Sequence, residues 1–329
     1  MRAITIEQYG GPEVLQRRSG VAVPVPGPRD VLVRVVCAGI NFMDIHTRQG
    51  KYANSKTYPV RLPCTLGMEG AGDVVAVGRD VHHLAVGDRV AWCIAWGSYA
   101  EYACIPAALA ARILDEVGYD LAAASMFQGC TAHYLVEDVA RIESGSTCLV
   151  HAASGSIGQL LIQMAKRRGA TVFATASTNE KCAVALACGA DEAMVYAEGG
   201  FVDIVCASTG GTGVDVVFDS LGKATFRDSI KVARTRGLII NYGNVSGSIR
   251  DFDPIELGEA GSLFLTRPRL ADHMADAATV QRRADAVFAA IRDGALRIEV
   301  AARYTLDNVD QAHARIEDRE QIGKAVVCI

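Results

Sequence analysis

Between residues 126 and 267 the sequence alternates short apolar runs with helical ones: TCLVHAA, IGQLLIQMAKRRG, TVFATAS, NEKCAVALACGA, EAMVY, VDVVFDS and GLIINYG. Strands that return through helical crossovers must run parallel, so this rhythm predicts a doubly wound sheet with helices on both faces. Residues 1–125 obey a different grammar. DVLVRVV (30–36), AGDVVAVG (71–78), DRVAW (88–92) and AEYACI (100–105) alternate polar and apolar positions between turn signals such as PGPRD and Gly50, which predicts a small antiparallel barrel. After residue 268 a helical stretch closed by Gly294 leads into RIEVAARYTL and KAVVCI, which are expected to return to the first domain. The expected division is therefore 1–125 with 268–329, and 126–267. With 50% hydrophobic residues over 329 positions, the chain can fill two cores.

Two glycine runs compete for the role of an anion loop. Such a loop needs a strand before it and a helix after it, because the unpaired N–H groups of the helix start are what bind the anion. TLGMEGAGDVVAVG (65–78) runs into a strand and fails this test. CLVHAASGSIGQLLIQMAK passes it: strand 148–153 leads to Ala153-x-Gly155-x-x-Gly158 and then to a helix with apolar positions 157, 160, 161 and 164. Gly155 lets the backbone approach a pyrophosphate, and Gly158 lets helix and strand pack closely. Gly155, Ser156 and Ile157 are the expected N–H donors.

The following strand distinguishes the dinucleotides. NAD sites usually end it in a carboxylate that takes the ribose hydroxyls. Here TVFATASTNEK ends in Ala176-Ser177-Thr178 with Lys181 behind, which favours a 2′-phosphate and hence NADP(H). Ser177 with Glu180 also reads as a helix capping box.

Several classes are excluded or disfavoured. A net charge of −4 leaves no basic footprint for nucleic acid, and Lys166-Arg167-Arg168 falls where it complements a helix C-terminus. No apolar run is long enough to cross a membrane and MRAITIEQYG alternates like an edge strand, so a soluble cytoplasmic protein is expected. Ten cysteines without any C-x-x-C suit neither a zinc knuckle nor a secreted disulfide framework, and most read as small buried hydrophobes.

GINFMDIHTRQGKY (39–52), LGMEGAG (66–72), GDRVAW (87–92), GSYAEY (97–102), QGCTAHYL (128–135), AASGSIGQ (152–159), VDVVFDSLG (214–222), NYGNVSG (241–247), SLFLTRP (262–268) and GKAVV (323–327) together span nearly the whole chain. In these segments the chain resembles the zinc-independent quinone oxidoreductases of the zeta-crystallin type, within the medium-chain dehydrogenase/reductase superfamily. The resemblance implies an α/β protein: a GroES-like antiparallel β-barrel catalytic domain and a Rossmann domain. It also accounts for TLGMEGAG. Zinc-dependent members carry a cysteine at the position of Asn41 and a G-H-E motif where this chain has Gly67-Met68-Glu69, and an amide and a thioether are poor zinc ligands. The four-cysteine structural lobe is missing too, and Glu69 is left as a hydrogen-bond anchor for a nearby arginine or backbone group.

The resemblance implies an NADPH-dependent, metal-free reductase of quinones or other electron-poor α,β-unsaturated carbonyls. Alternatives are an enoyl-thioester reductase or a non-catalytic nucleotide- or RNA-binding protein. Asn41 is implied to lie beside the nicotinamide, orienting it or the substrate carbonyl. Tyr52 either donates to the developing oxyanion or walls the pocket, with Tyr58 as a substitute because the stretch 51–66 is long. Asp44 and Arg48 are read as a structural pair. Thr131 is implied to approach the nicotinamide ribose or phosphate. Ser177, Lys181 and Tyr196 are implied to form the 2′-phosphate and adenosine pocket, and Ser220, Gly243 and Asn244 to lie at the ligand-binding sheet edge. Arg319, with Lys324 as a further candidate, is implied to reach a phosphate. SLFLTRP is similar to the strand by which family members form a homodimer.

Overall fold

The computed structural model describes residues 1–196, 200–318 and 323–329. The chain forms two units, Met1–Cys130 with His273–Ile329, and Thr131–Asp272. These boundaries lie five residues beyond the expected ones at 125/126 and 267/268, and the first falls within helix α2 (Tyr119–Tyr134).

In the first unit the strands are β1 (Ala3–Ile6), β2 (Gln16–Arg18), β3 (Asp30–Gly39), β4 (Cys64–Thr65), β5 (Glu69–Val77), β6 (Arg89–Cys93), β7 (Tyr102–Pro106) and β8 (Ala110–Arg112), with helix α1 (Phe42–Arg48) after β3. β1 pairs antiparallel with β2 and with β4. β3 is the hub of the larger sheet: it pairs antiparallel with β5 along its length, its first half with β7, and its last residues with the C-terminal strand. Val31, Val33, Val35, Val74, Val90 and Trp92 form one core and Ile4, Ile6, Ile40, Leu66 and Val327 belong to another. The alternation read from the sequence thus fills two cores.

The second unit contains β9 (Thr147–Val150), α3 (Ser156–Arg167), β10 (Thr171–Ala176), α4 (Asn179–Ala187), β11 (Glu192–Val195), α5 (Phe201–Ser208), β12 (Val214–Asp219), α6 (Phe226–Val232), β13 (Ala233–Asn241), α7 (Ile255–Glu259) and β14 (Phe264–Thr266). All pairings in its six-stranded sheet are parallel, in the order β11-β10-β9-β12-β13-β14. Strand order reverses between β9 and β12, and in doubly wound sheets ligands bind outside the carboxyl ends of the strands at that switch. β9 ends at Val150, earlier than the expected 153, and the turn that follows places Ala152 at a positive φ of 51°.

The chain then returns to the first unit through α8 (Ala277–Arg292), β15 (Val300–Thr305), α9 (Val309–Glu317) and β16 (Lys324–Cys328). β16 adds antiparallel to β3 with Val326 opposite Gly39, and β15 adds parallel to β16. Among the described residues, no helix is long and apolar enough to cross a membrane.

Candidate functional site

In the second unit the anion loop is assembled on the end of β9. Gly155 caps α3, and the first intrahelical bond runs from Gln159 N to Gly155 O at 2.9 Å. The N–H groups of Ser156, Ile157 and Gly158 therefore precede the helical ladder and point out of the helix start. The Gly155 N–H differs from expectation. It donates to Ala152 O at 2.9 Å, closing the tight turn, so Gly155 offers bare backbone and no donor. A Cβ on Gly158 would lie 2.7 Å from Ala152 O and 2.8 Å from Ala153 Cα, and only glycine lets helix and turn approach this closely.

The neighbouring β10 ends in Ala176, and Ser177 follows it on the surface. The expected Ser177–Glu180 capping box is displaced by one residue. Thr178 is the cap, accepting from Lys181 N at 3.3 Å, which leaves the Ser177 hydroxyl outside the cap. Lys181 is half-buried and, among the described residues, forms no ion pair. Tyr196 packs against the unit's core beside β11. Thr131 is buried on α2. At the other side of the switch, a Cβ on Gly243 would meet Ser220 O at 2.4 Å, so the loops after β12 and β13 touch backbone to backbone there. Asp219 holds the first of these loops, accepting from Leu221 N at 2.8 Å and Gly222 N at 2.9 Å. Asn244 lines a cavity of about 460 Å³ with Asn241, Ser248, Arg250, Phe252 and Arg267. Arg319 lies outside the described residues.

In the first unit Asn41 stands at the start of α1, 4% exposed. Its backbone N–H donates to Asp44 Oδ2 at 2.8 Å, and its side chain is held at both ends: Nδ2 donates to Glu69 Oε2 at 2.8 Å while Oδ1 accepts from Lys324 Nζ at 2.7 Å. Lys324 Nζ also donates to Glu69 Oε2 at 2.8 Å, and Phe127 N donates to Glu69 Oε1 at 2.6 Å. Glu69 anchors a backbone group, the Phe127 N–H, as one arm of the sequence expectation had it, and its charged partner is Lys324, not an arginine. Lys324 is 2% exposed, and two of its three N–H donors are spent on Asn41 and Glu69. Gly39 makes the arrangement possible, since a Cβ there would fall 2.3 Å from Glu69 Oε2 and 2.4 Å from Ala123 O.

Asp44 and Arg48 are not a pair. Asp44 accepts from Asn41 N, from Met68 N at 3.1 Å and from Tyr99 Oη at 3.2 Å, and burial pushes its carboxyl up to about 7. Arg48 instead donates to Glu317 at 2.6 Å and faces His313 Nδ1 at 3.4 Å. Arginine can only donate, so Nδ1 accepts and the His313 proton sits on Nε2, 3.3 Å from Tyr99 Oη. Donation therefore runs in one direction, Arg48 to His313 to Tyr99 to Asp44. Burial, then the Arg48 charge, hold His313 down at about 3. α1 packs on α9, which brings Arg48 and Glu317 together from residues remote in sequence, and no local signal announces the contact.

Tyr52 is half-buried; its ring meets Tyr58 edge-on at 5.9 Å and His46 at 6.2 Å. The two tyrosines read from the sequence as substitutes are thus neighbours in one aromatic cluster. Among the described residues, no group of three His, Cys, Asp or Glu side chains is arranged to hold a metal ion.

Residues 27–115 match the family model described as the alcohol dehydrogenase GroES-like domain, and residues 156–261 that described as zinc-binding dehydrogenase. The chain is 36% identical to the quinone oxidoreductase of Pseudomonas aeruginosa over 99% of both chains. It is 34% identical to the 2-haloacrylate reductase of a Burkholderia species over 99% of this chain and 98% of that one. The crystal structure of Escherichia coli quinone oxidoreductase complexed with NADPH superimposes with a TM-score of 0.93 at 33% identity, covering all of both chains.

Proposed function

The chain belongs to the quinone oxidoreductase family of the medium-chain dehydrogenase/reductase superfamily, and from that premise we propose that it is an NADPH-dependent, metal-free reductase of quinones and electron-poor α,β-unsaturated carbonyls. The observation that carries the cofactor choice is the end of β10, where Ser177 and Lys181 stand in place of a carboxylate. A 2′-phosphate would gain a hydroxyl and an ammonium there, and a carboxylate would repel it.

The nucleotide fits the second unit. Ser156 and Ile157 N–H groups at the start of α3 receive the pyrophosphate over Gly155, and Ser177, Lys181 and Tyr196 receive the adenosine end. Thr131, Ser220, Gly243 and Asn244 line its path, with Arg319 as a further phosphate partner. When bound, NADPH supplies the hydride. The first unit contributes Asn41, whose second amide hydrogen is left to donate to a carbonyl oxygen, and Tyr52, which donates to the oxygen that gains charge. Because Lys324 and Glu69 fix both ends of the Asn41 amide, the donor is preorganised before charge develops.

Metal independence is supported by the donor set. Asn41 and Met68 replace thiolate and imidazole, and the Lys324 ammonium already neutralises Glu69. A second substrate class, haloacrylates and related activated alkenes, is favoured by the reductase relative at 34% identity. For assembly, we infer a homodimer through β14, the edge strand of the parallel sheet, where Phe264 is 57% exposed. A cytoplasmic location goes with this reading.

The test is cofactor oxidation by chelator-treated protein, with NADPH and NADH compared across quinones, enones and haloacrylates. Turnover with NADPH after metal removal is expected. Tight NADPH binding with no turnover on any acceptor would move the proposal to a non-catalytic role.

A further inference from the structure

Cys328 on β16 stands directly opposite Cys37 on β3. The flanking bonds, Ile329 N to Val36 O at 3.1 Å and Ile40 N to Ala325 O at 3.0 Å, bracket this pair without joining its members. It is therefore a non-hydrogen-bonded antiparallel position, where Cα atoms lie about 4.5 Å apart and side chains project to the same face at closest approach. A disulfide spans Cα separations of roughly 4.4–6.8 Å, so the backbone need not move to accept one. All ten cysteines are free thiols here.

The two thiols differ in a way that suits sequential chemistry. Cys328 is exposed and Cys37 is 2% exposed. Burial, and then the neighbouring Cys328, push the Cys37 thiol up, whereas the Arg303 guanidinium opposes that shift. Arg303 stands on β15 next to β16 and is itself held by Asp120 at 2.5 Å. Other buried thiols offer no such entry: Cys93 and Cys130 are both 0% exposed.

We propose that Cys37 and Cys328 form a modification site, a cross-strand dithiol that a small-molecule disulfide such as oxidised glutathione converts to a reversible intrachain disulfide. The Cys328 thiolate attacks one sulfur of the oxidant, forming a mixed disulfide and expelling one thiolate. The Cys37 thiol then loses its proton as its Sγ attacks the Cys328 Sγ; the second small thiolate leaves and takes up that proton. Two protein thiols are oxidised and one small disulfide is reduced to two thiols. The bond falls in the same two-strand ladder that carries Lys324 to Asn41, three pairings from Cys37–Cys328 to Ala38–Val327 to Gly39–Val326. Oxidation therefore staples the strand that positions the Asn41 clamp.

The experiment treats the reduced full-length protein with oxidised glutathione, alkylates it in denaturant and maps peptides by mass spectrometry. The expected product is a linked pair of peptides containing Cys37 and Cys328, lighter by two hydrogens than the reduced pair and restored by dithiothreitol. The exposed-site variant Cys328→Ser should leave Cys37 fully alkylated with no bridge, and Cys37→Ala should accumulate a glutathione adduct on Cys328. A wild-type protein that keeps a stable adduct on Cys328 with Cys37 alkylated overturns the proposal. So does an unmodified Cys328, or a Cys37 bridged to another cysteine.

Discussion

The ammonium of Lys324 donates to Asn41 Oδ1 at 2.7 Å, across 283 residues of sequence, and both side chains are buried. A lysine stays charged in such a place only when a carboxylate meets it, and Glu69 does so at 2.8 Å. The triad is thus an electrostatic unit, and removing one member exposes the others to an uncompensated burial penalty.

Replacing Lys324 by methionine is expected to destabilise the protein by roughly 3–5 kcal/mol, because Glu69 is left as a buried, unpaired charge. Lys324→Met combined with Glu69→Gln should recover part of that loss. Denaturant unfolding of the two single variants and the double variant measures the coupling; strictly additive losses would show that the pair is not a unit.

Asn41→Ala is expected to lower kcat by about 10²-fold, the effect of removing one preorganised donor, while NADPH affinity measured by fluorescence titration changes little. A loss confined to nucleotide affinity, with kcat intact, would place Asn41 in binding alone.

Lys181→Ala should raise the KM for NADPH by roughly ten- to a hundredfold, the worth of a charge-assisted hydrogen bond, and leave the NADH value unchanged. Equal effects on both cofactors would remove Lys181 from the 2′-phosphate site.

Gly158→Val should abolish NADPH binding, or folding of the second unit, because even its Cβ would meet Ala152 O at 2.7 Å. Gly210→Ala, at a turn where nothing lies within 4 Å, serves as the control, although its φ of 60° adds a small strain. Circular dichroism and nucleotide titration on both variants separate the two outcomes.

His313 and Asp44 give stability opposite dependences on pH. The His313 pKa is depressed to about 3, so its contribution is complete above the unfolded value near 6.5 and is lost as pH falls through about 3. The Asp44 pKa is raised to about 7, so its contribution is complete below the unfolded value near 3.8 and is lost as pH rises through about 7. His313→Gln keeps an acceptor for Arg48 and a donor for Tyr99 but removes the first titration. Between pH 4 and 6 the stability of wild type relative to this variant should rise by about 1.4 kcal/mol per pH unit. Parallel stability curves would mean that His313 is protonated in the folded state.

Local pattern was sufficient for much of this molecule. Period-two alternation identifies β3, β5, β6 and β7, and the strand–glycine–helix succession identifies β9, the anion loop and α3, because each signal lies within a few residues of chain. The departure of Asn41 and Met68 from the metal-ligand pattern was legible only through the family resemblance, which supplies the pattern they depart from. Partners remote in sequence were not. Asp44 and Arg48, four residues apart on α1, look like an ion pair; the packing of α1 on α9 gives Arg48 to Glu317, and the approach of Met68 and Tyr99 gives Asp44 two donors remote in sequence. Lys324, implied by the resemblance as a further candidate to reach a phosphate, is carried to Glu69 when β16 docks on β3. Sequence by itself determined the elements and the chemistry each could offer. Which charges meet was decided by tertiary structure alone, since burial forces every ionised group to find a partner and only the packed sheet settles which one is within reach.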